Sequence, residues 1–217
     1  PGITEKLAEV IMIANATATP TATPIPTAIP LTPTPDTRAD EELFLQAEAL
    51  VAAEDWPAAI ETLKNLRKNN PDYRSIDIDG MLYLSLRQRG VQKITLGELE
   101  PGIYDLTLAE GFGVLDTEAD SWRTWARYYI TGASYWDVNW PQAIELFGQT
   151  AAQTPNLHDG SGWTAAKRYV DAIISYAQQL ESEGKFCEVD DVYDLAFQYT
   201  GNPTYQELIV AAQEKCQ

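Results

Sequence analysis

Histidine, cysteine and methionine are nearly missing from this 217-residue chain, which has one, two and two of them, and only 15 basic residues stand against 32 acidic ones. A single His and two Cys leave no ligand set for a structural zinc site. The shortage of Lys and Arg, with a formal net charge of −17, argues against nucleic acid as a partner, because phosphate binding needs clustered cations. Anionic lipid surfaces are disfavoured on the same ground. Long apolar runs are also missing: the longest stretch near the start is residues 10–14, and crossing a bilayer takes about 20 apolar residues. What is present is a 45% hydrophobic, 10% aromatic composition, enough for one soluble domain with an appendage.

Proline is unevenly placed. Six prolines (Pro20, Pro24, Pro26, Pro30, Pro33, Pro35) crowd into one short stretch before the middle of the chain. Residues 16–37 are almost only Ala, Thr, Pro and Ile, so this segment reads as an extended, polyproline-like linker that at about 3.1 Å per residue spans up to roughly 65 Å. Such Thr/Pro tracts resemble stalks that lift domains from a cell surface and carry O-linked sugar, here on Thr17, Thr19, Thr21 and Thr23. Asn15-Ala16-Thr17 is an N-glycosylation pattern; the alternative is a bare flexible linker. Residues 1–15 read as an arm, or as the remnant of an upstream anchor, since the sequence opens on Pro1 and any signal or anchor lies before it. Membrane attachment is expected only through such an anchor. The third region, residues 38–217, holds all but three of the acidic residues and all but one of the basic ones.

That region repeats itself. Asp55-Trp56-Pro57-Ala58-Ala59-Ile60-Glu61-Thr62-Leu63 returns further along as Asn139-Trp140-Pro141-Gln142-Ala143-Ile144-Glu145-Leu146-Phe147. Each block closes on a proline, Pro71 and Pro155. Weaker copies start at Leu99 and Phe186, so the four starts, at positions 56, 99, 140 and 186, are nearly evenly spaced. A small residue three places into each block allows close helix approach, and a large apolar residue one turn on fills the space beside it. Proline is tolerated in a first helical turn and ends helices elsewhere.

At these residues the chain resembles the tetratricopeptide repeat family, whose units are helix-turn-helix hairpins of about 34 residues. The matching positions are Trp56, Ala59, Leu63, Leu66 and Pro71; Leu99, Gly102, Leu106 and Ala109; Trp140, Ala143, Phe147, Thr150 and Pro155; and Phe186, Val189, Tyr193 and Ala196. Units two and four lack the closing proline, and residues 91–96 read as an insertion. The resemblance implies an all-α, right-handed α-α superhelix of about four hairpins plus a C-terminal capping helix, preceded by the extended Thr/Pro linker. Helices are expected at about 39–53, 57–69, 77–89, 98–111, 118–136, 140–153, 162–183, 186–198 and 203–216. Leu208, Ala211 and Ala212 would face unit four from the cap.

Cys187 and Cys216 are separated by a helix, the turn Gly201-Asn202-Pro203 and a second helix, an arrangement that brings them together. A disulfide there would add about 3.6 kcal/mol in the chain-entropy treatment and would imply an oxidising compartment; two buried free thiols are the alternative.

A catalytic constellation is not apparent, and no cofactor or metal is implied. The only histidine, His158, lies in the Gly-rich loop Asn156-Leu157-His158-Asp159-Gly160-Ser161-Gly162, where Ser, His and Asp are sequence neighbours rather than groups assembled across a fold. Ser161 or Thr164 is expected to cap the next helix. Asp77-Ile78-Asp79-Gly80 fails as a calcium loop, with Ser75 and Leu86 at the end ligand positions, and Asp77 reads as the cap of the third helix. Gly111-Phe112-Gly113 lacks the strand and third glycine of a dinucleotide site. Glu188, Asp190, Asp191 and Asp194 read as a solvated face at a helix start.

Aromatics remain. Five of the six tryptophans, Trp122, Trp125, Trp136, Trp140 and Trp163, cluster in one part of the chain, with Tyr128, Tyr129 and Tyr135 among them. In tetratricopeptide units the first helix lines the concave groove, and its groove positions map to Trp125, Tyr128, Gly132 and Tyr135 or Trp136. Two readings stay open: a partner-binding groove for a peptide strand or sugar, with Gly132 allowing close approach, or a bulky core between units two and three. The expected function is an extracytoplasmic, surface-tethered interaction or scaffold module without catalysis, binding a protein partner or itself. The alternatives are a self-assembling subunit of an extracellular filament or surface layer, its N-terminal arm on a neighbour, and carbohydrate binding by the aromatic stripe.

Overall fold

The computed structural model describes residues 37–216. The chain divides into two units, Pro1–Asp36 and Thr37–Gln217. The residues read as glycosylation positions, Asn15, Thr17, Thr19, Thr21 and Thr23, lie outside the described residues, as do residues 1–36 as a whole.

Nine α-helices and no strands are found among the described residues: α1 (Arg38–Ala52), α2 (Trp56–Asn69), α3 (Ser75–Thr95), α4 (Leu99–Glu110), α5 (Thr117–Ser134), α6 (Trp140–Gln153), α7 (Ala165–Ser182), α8 (Phe186–Thr200) and α9 (Pro203–Lys215). The expectation of an all-α domain is met. Every helix packs on the next, and beyond these neighbours α1 touches α3 and α3 touches α5.

Local chemistry explains the helix starts. Asp55 and Asn139 each accept a hydrogen bond from the third residue on, Ala58 N at 3.2 Å and Gln142 N at 3.2 Å. Pro57 and Pro141 follow in the first turn, where no amide hydrogen is needed. Each of the first four hairpins turns on one left-handed residue: Glu54, Gly97, Asp137 and Gly184, with φ between 57° and 86°.

The repeated positions form the core. Ala59, Leu63 and Leu66 of α2, Leu106 and Ala109 of α4, Ala143, Phe147 and Thr150 of α6, and Val189 and Ala196 of α8 all have 0% exposure, and Tyr193 has 4%. Burying a Leu or Phe side chain contributes about 1.5–3 kcal/mol, so the repeat is read most directly as the seam between helices. Gly102 carries the closest approach. A Cβ on it would lie 2.5 Å from Ile94 Cγ1 and 2.7 Å from the Gly90 carbonyl oxygen, so α3 and α4 meet backbone to backbone.

Four sequence expectations are corrected. The third helix does not end at residue 89; it continues to Thr95, so the residues read as an insertion lengthen this helix. Ile78, Leu82, Leu86, Gly90 and Ile94 are buried at a constant spacing of four, one unbroken stripe. Asp77 is not the cap of this helix, which starts at Ser75 after the left-handed Arg74; Asp77 sits in the first turn, favourable to the helix dipole. Helix α7 starts at Ala165 rather than 162, and of the two expected caps Thr164 is the one used, accepting from Lys167 N at 3.2 Å. On α9 the inward face is Tyr205, Ile209 and Ala212, whereas Leu208 is 36% exposed and Ala211 is exposed. The expected register on α9 is one residue off at Leu208 and Ala211. Cys216, exposed one turn beyond Ala212, forms a disulfide with Cys187, Cα to Cα 4.9 Å.

Candidate functional site: two aromatic regions and a trough along α3

Helix α5 distributes its aromatics over two regions. Near its C-terminal end, Trp136 stacks edge to face on Trp140 at 5.1 Å, Phe147 at 6.1 Å and Trp163 at 6.0 Å. Tyr129, fully buried, meets Phe147 at 5.3 Å, and its hydroxyl donates to the Trp163 carbonyl. Gly132 belongs to this packing: a Cβ there would come within 3.2 Å of Phe147 and 3.3 Å of Leu146. The close approach Gly132 permits is that of α6, and the expectation that it opens a groove to a ligand is overturned.

Arg168 of α7 locks the region. Its guanidinium lies 5.0 Å from the Trp136 ring centre and 4.6 Å from that of Trp163, and pairs with Asp159 at 3.4 Å. Asp159 also accepts from Ser161 N at 2.9 Å and from the Ser161 hydroxyl. Burial alone would raise the Asp159 carboxyl, but Ser161 and Arg168 outweigh it and hold it below the ordinary carboxylate range. Burial pushes the Tyr129 hydroxyl up. These bonds fold the long α6–α7 loop onto α5. His158 Nδ1 lies 3.1 Å from the Asn156 carbonyl, so the loop joins Ser161 to Asp159 but directs this ring nitrogen elsewhere.

Near the start of α5 the arrangement is looser. Trp122 and Trp125 pack edge to face at 5.3 Å and are half-buried against the core. Trp122 lines a pocket of about 320 Å³ with Thr95, Thr154, Pro155, Asn156 and Leu157. Of the residues assigned to partner binding, Trp125, Tyr128, Tyr135 and Trp136 are all half-buried. Trp136 and Tyr135 pack with the core at one end of α5, and Trp125 with Trp122 toward the other. The four do not form one open stripe.

Sequence reasoning missed a third feature, on α3. A hollow of about 530 Å³ between α1 and α3 is lined by Phe44, Glu48, Arg74, Ile76, Asp77, Gly80 and Leu84 among others. Leu84 continues into a second, of about 430 Å³, with Glu54, Trp56, Gln88, Val91 and Thr95. Thr95 also lines the Trp122 pocket. The floor is one face of α3, at Ile76, Gly80, Leu84, Gln88 and Thr95, about 29 Å long at 1.5 Å per residue. Ile76 is 86% exposed. The unbroken course of α3 creates this trough, so ending the helix at residue 89 hid it.

The other faces of α3 carry its cations, and each is engaged. Arg87 donates to Asp116 at 2.9 Å and pairs with Glu118. Arg89 grips Asp105 in a fork at 2.6 and 2.7 Å, and Lys93 reaches the same carboxylate at 2.8 Å. Asp105 is 1% exposed, at the place in its repeat where α6 has Leu146 and α8 has Val192. Burial raises its pKa, and the two cations more than offset this, holding the carboxyl below its ordinary value. Asp116, held by Arg87, is depressed further.

Among the described residues no group of three or more His, Cys, Asp and Glu side chains is placed to hold a metal ion, and no helix is long and apolar enough to cross a membrane. No protein-family model, curated protein or solved structure matches this chain.

Proposed function

We propose that the chain is an extracytoplasmic, surface-tethered interaction scaffold, non-catalytic, built as a tetratricopeptide-like right-handed superhelix on a Thr/Pro stalk. The observation that carries this reading is the burial of the same repeat positions in α2, α4, α6 and α8, which supports a stack of hairpins whose remaining faces are free to dock partners. The Cys187–Cys216 pair supports an oxidising compartment. The acidic body favours a neutral or basic protein partner, with no nucleic acid and membrane attachment only through an upstream anchor.

A second reading, a self-assembling filament or layer subunit, is favoured by apolar side chains at both ends of the helix order: Leu45 on α1 is 54% exposed and Val210 on α9 is 51% exposed. Sedimentation velocity on the full chain separates the two. A monomer across rising concentration supports the scaffold, and open-ended growth in size overturns it in favour of assembly. Maleimide labelling of protein taken from its native source tests the compartment: thiols reactive before reduction would count against it.

A further inference from the structure

We infer that the trough along α3 docks an extended, Lys- or Arg-bearing segment of a partner protein. This rests on the scaffold reading and gives its partner a chemistry. Three observations carry it. The trough offers apolar side chains at Ile76, Leu84 and Trp122, with open space over Gly80, where a Cβ would meet no atom within 4 Å. Its length of about 29 Å matches roughly nine residues of extended chain at about 3.3 Å each.

The polar groups among the apolar ones include the amides of Gln92 and of Gln88, whose Oε1 already accepts from Arg87 at 3.0 Å. Amide side chains both donate and accept, which suits a strand whose own N–H and C=O groups are unpaired and suits less a helix that satisfies them internally.

The charge is one-sided. Glu48, Glu54 and Asp77 stand on the rim, exposed, with no ion-pair partner among the described residues. The cations nearby are spent: Arg87, Arg89 and Lys93 serve Asp116, Glu118 and Asp105, and Arg74 pairs with Glu41 at 3.5 Å while lying 4.4 Å over the Phe44 ring. A basic segment would meet three carboxylates without an ion-pair partner and one lining cation, Arg74, which is engaged by Glu41 and the Phe44 ring. The chain's own residues 16–37 contain no Lys or Arg and lack this complementarity.

Fluorescence anisotropy on the full chain tests this with four labelled probes: an extended decapeptide of Leu and Lys, the same peptide with Gln or Glu for Lys, and a peptide of residues 16–37. The Lys peptide is expected to bind tightest, by roughly tenfold or more over the Glu analogue, and to weaken with salt. Reversing the rim with Glu48→Lys, Glu54→Lys and Asp77→Lys should abolish that preference while the far-ultraviolet spectrum is unchanged. The same reversal at exposed Glu188, Asp191 and Glu207 should leave it intact. Equal loss in both triple variants overturns the proposal, since general attraction to an acidic body would then explain the binding. Lys-peptide binding that ignores the rim variant overturns it too, and leaves the scaffold reading standing. Tightest binding by residues 16–37 overturns it by assigning the trough to a second copy, and no binding by any probe overturns it as well, whereas the scaffold reading falls on the sedimentation result.

Discussion

The two ends of α5 carry the same kind of residue in different roles. At the Trp136 end, rings from α5, α6 and the α6–α7 loop enclose one another and Arg168 closes over them. At the Trp122 end, two tryptophans meet only each other edge to face, and one lines a pocket that continues the α3 trough. The difference comes from where the loop after α6 is pinned: Asp159, Ser161 and the Trp163 carbonyl hold it to Arg168 and Tyr129. Trp122 and Trp136, at the two ends, are alike in being half-buried, and what differs is the neighbours that each ring meets across the loop.

Substitutions that break the comparison should fall in order of how enclosed each site is. Phe147→Ala, at the centre of the packed end and fully buried, is expected to cost about 4 kcal/mol, read as a fall in the urea midpoint with the slope unchanged. Asp105→Ala should cost about 3 kcal/mol, the low end for breaking a buried ion pair because Arg89 and Lys93 regain water. The same carboxylate gives a pH signature. Its folded pKa lies below the unfolded one, so its contribution is present above about pH 4 and is lost as pH falls through the folded value. Acid melting of the wild type should therefore be steeper below pH 4 than that of Asp105→Asn.

Gly102→Ala tests the seam between α3 and α4. Helix propensity favours alanine by about 1 kcal/mol, but overpacking against the Gly90 backbone costs about 1–3 kcal/mol. A net loss of about 1 kcal/mol in differential scanning calorimetry is expected, and a rise in Tm would show that the helices are further apart. Smallest of all, Leu84→Gln on the floor of the trough should change stability by no more than about 0.5 kcal/mol, in contrast to Phe147. A large loss at Leu84 would show that the trough is closed in solution.

Much of the fold was legible in the sequence. The Asp-Trp-Pro and Asn-Trp-Pro starts, the small residues Ala59 and Ala143 and the large ones Leu63 and Phe147 are local signals, because capping and i, i+4 packing depend on near neighbours. The reading failed where a signal had two meanings. The third helix, expected to end at residue 89, runs on through Gly90, whose carbonyl faces Gly102 of α4, so the four-residue rhythm through Ile94 was cut short and the trough was lost with it. Gly132 lies on a stripe that reads equally as groove or as core, and it is the seat of α6. On α9, Leu208 and Ile209 are apolar neighbours of equal size, and it is Tyr205, Ile209 and Ala212 that pack on the core.

By itself the sequence determined an acidic, all-helical body of paired helices, with the helix starts and the buried repeat positions fixed by caps, prolines and apolar spacing. The tertiary structure alone decided which glycines are contacts, which rings meet which, and that α3 runs long enough to floor a trough with its cations held by carboxylates. Those outcomes depend on residues far apart in the chain meeting in space, as Arg168 meets Trp136 and Arg89 meets Asp105, and no local pattern encodes such a meeting.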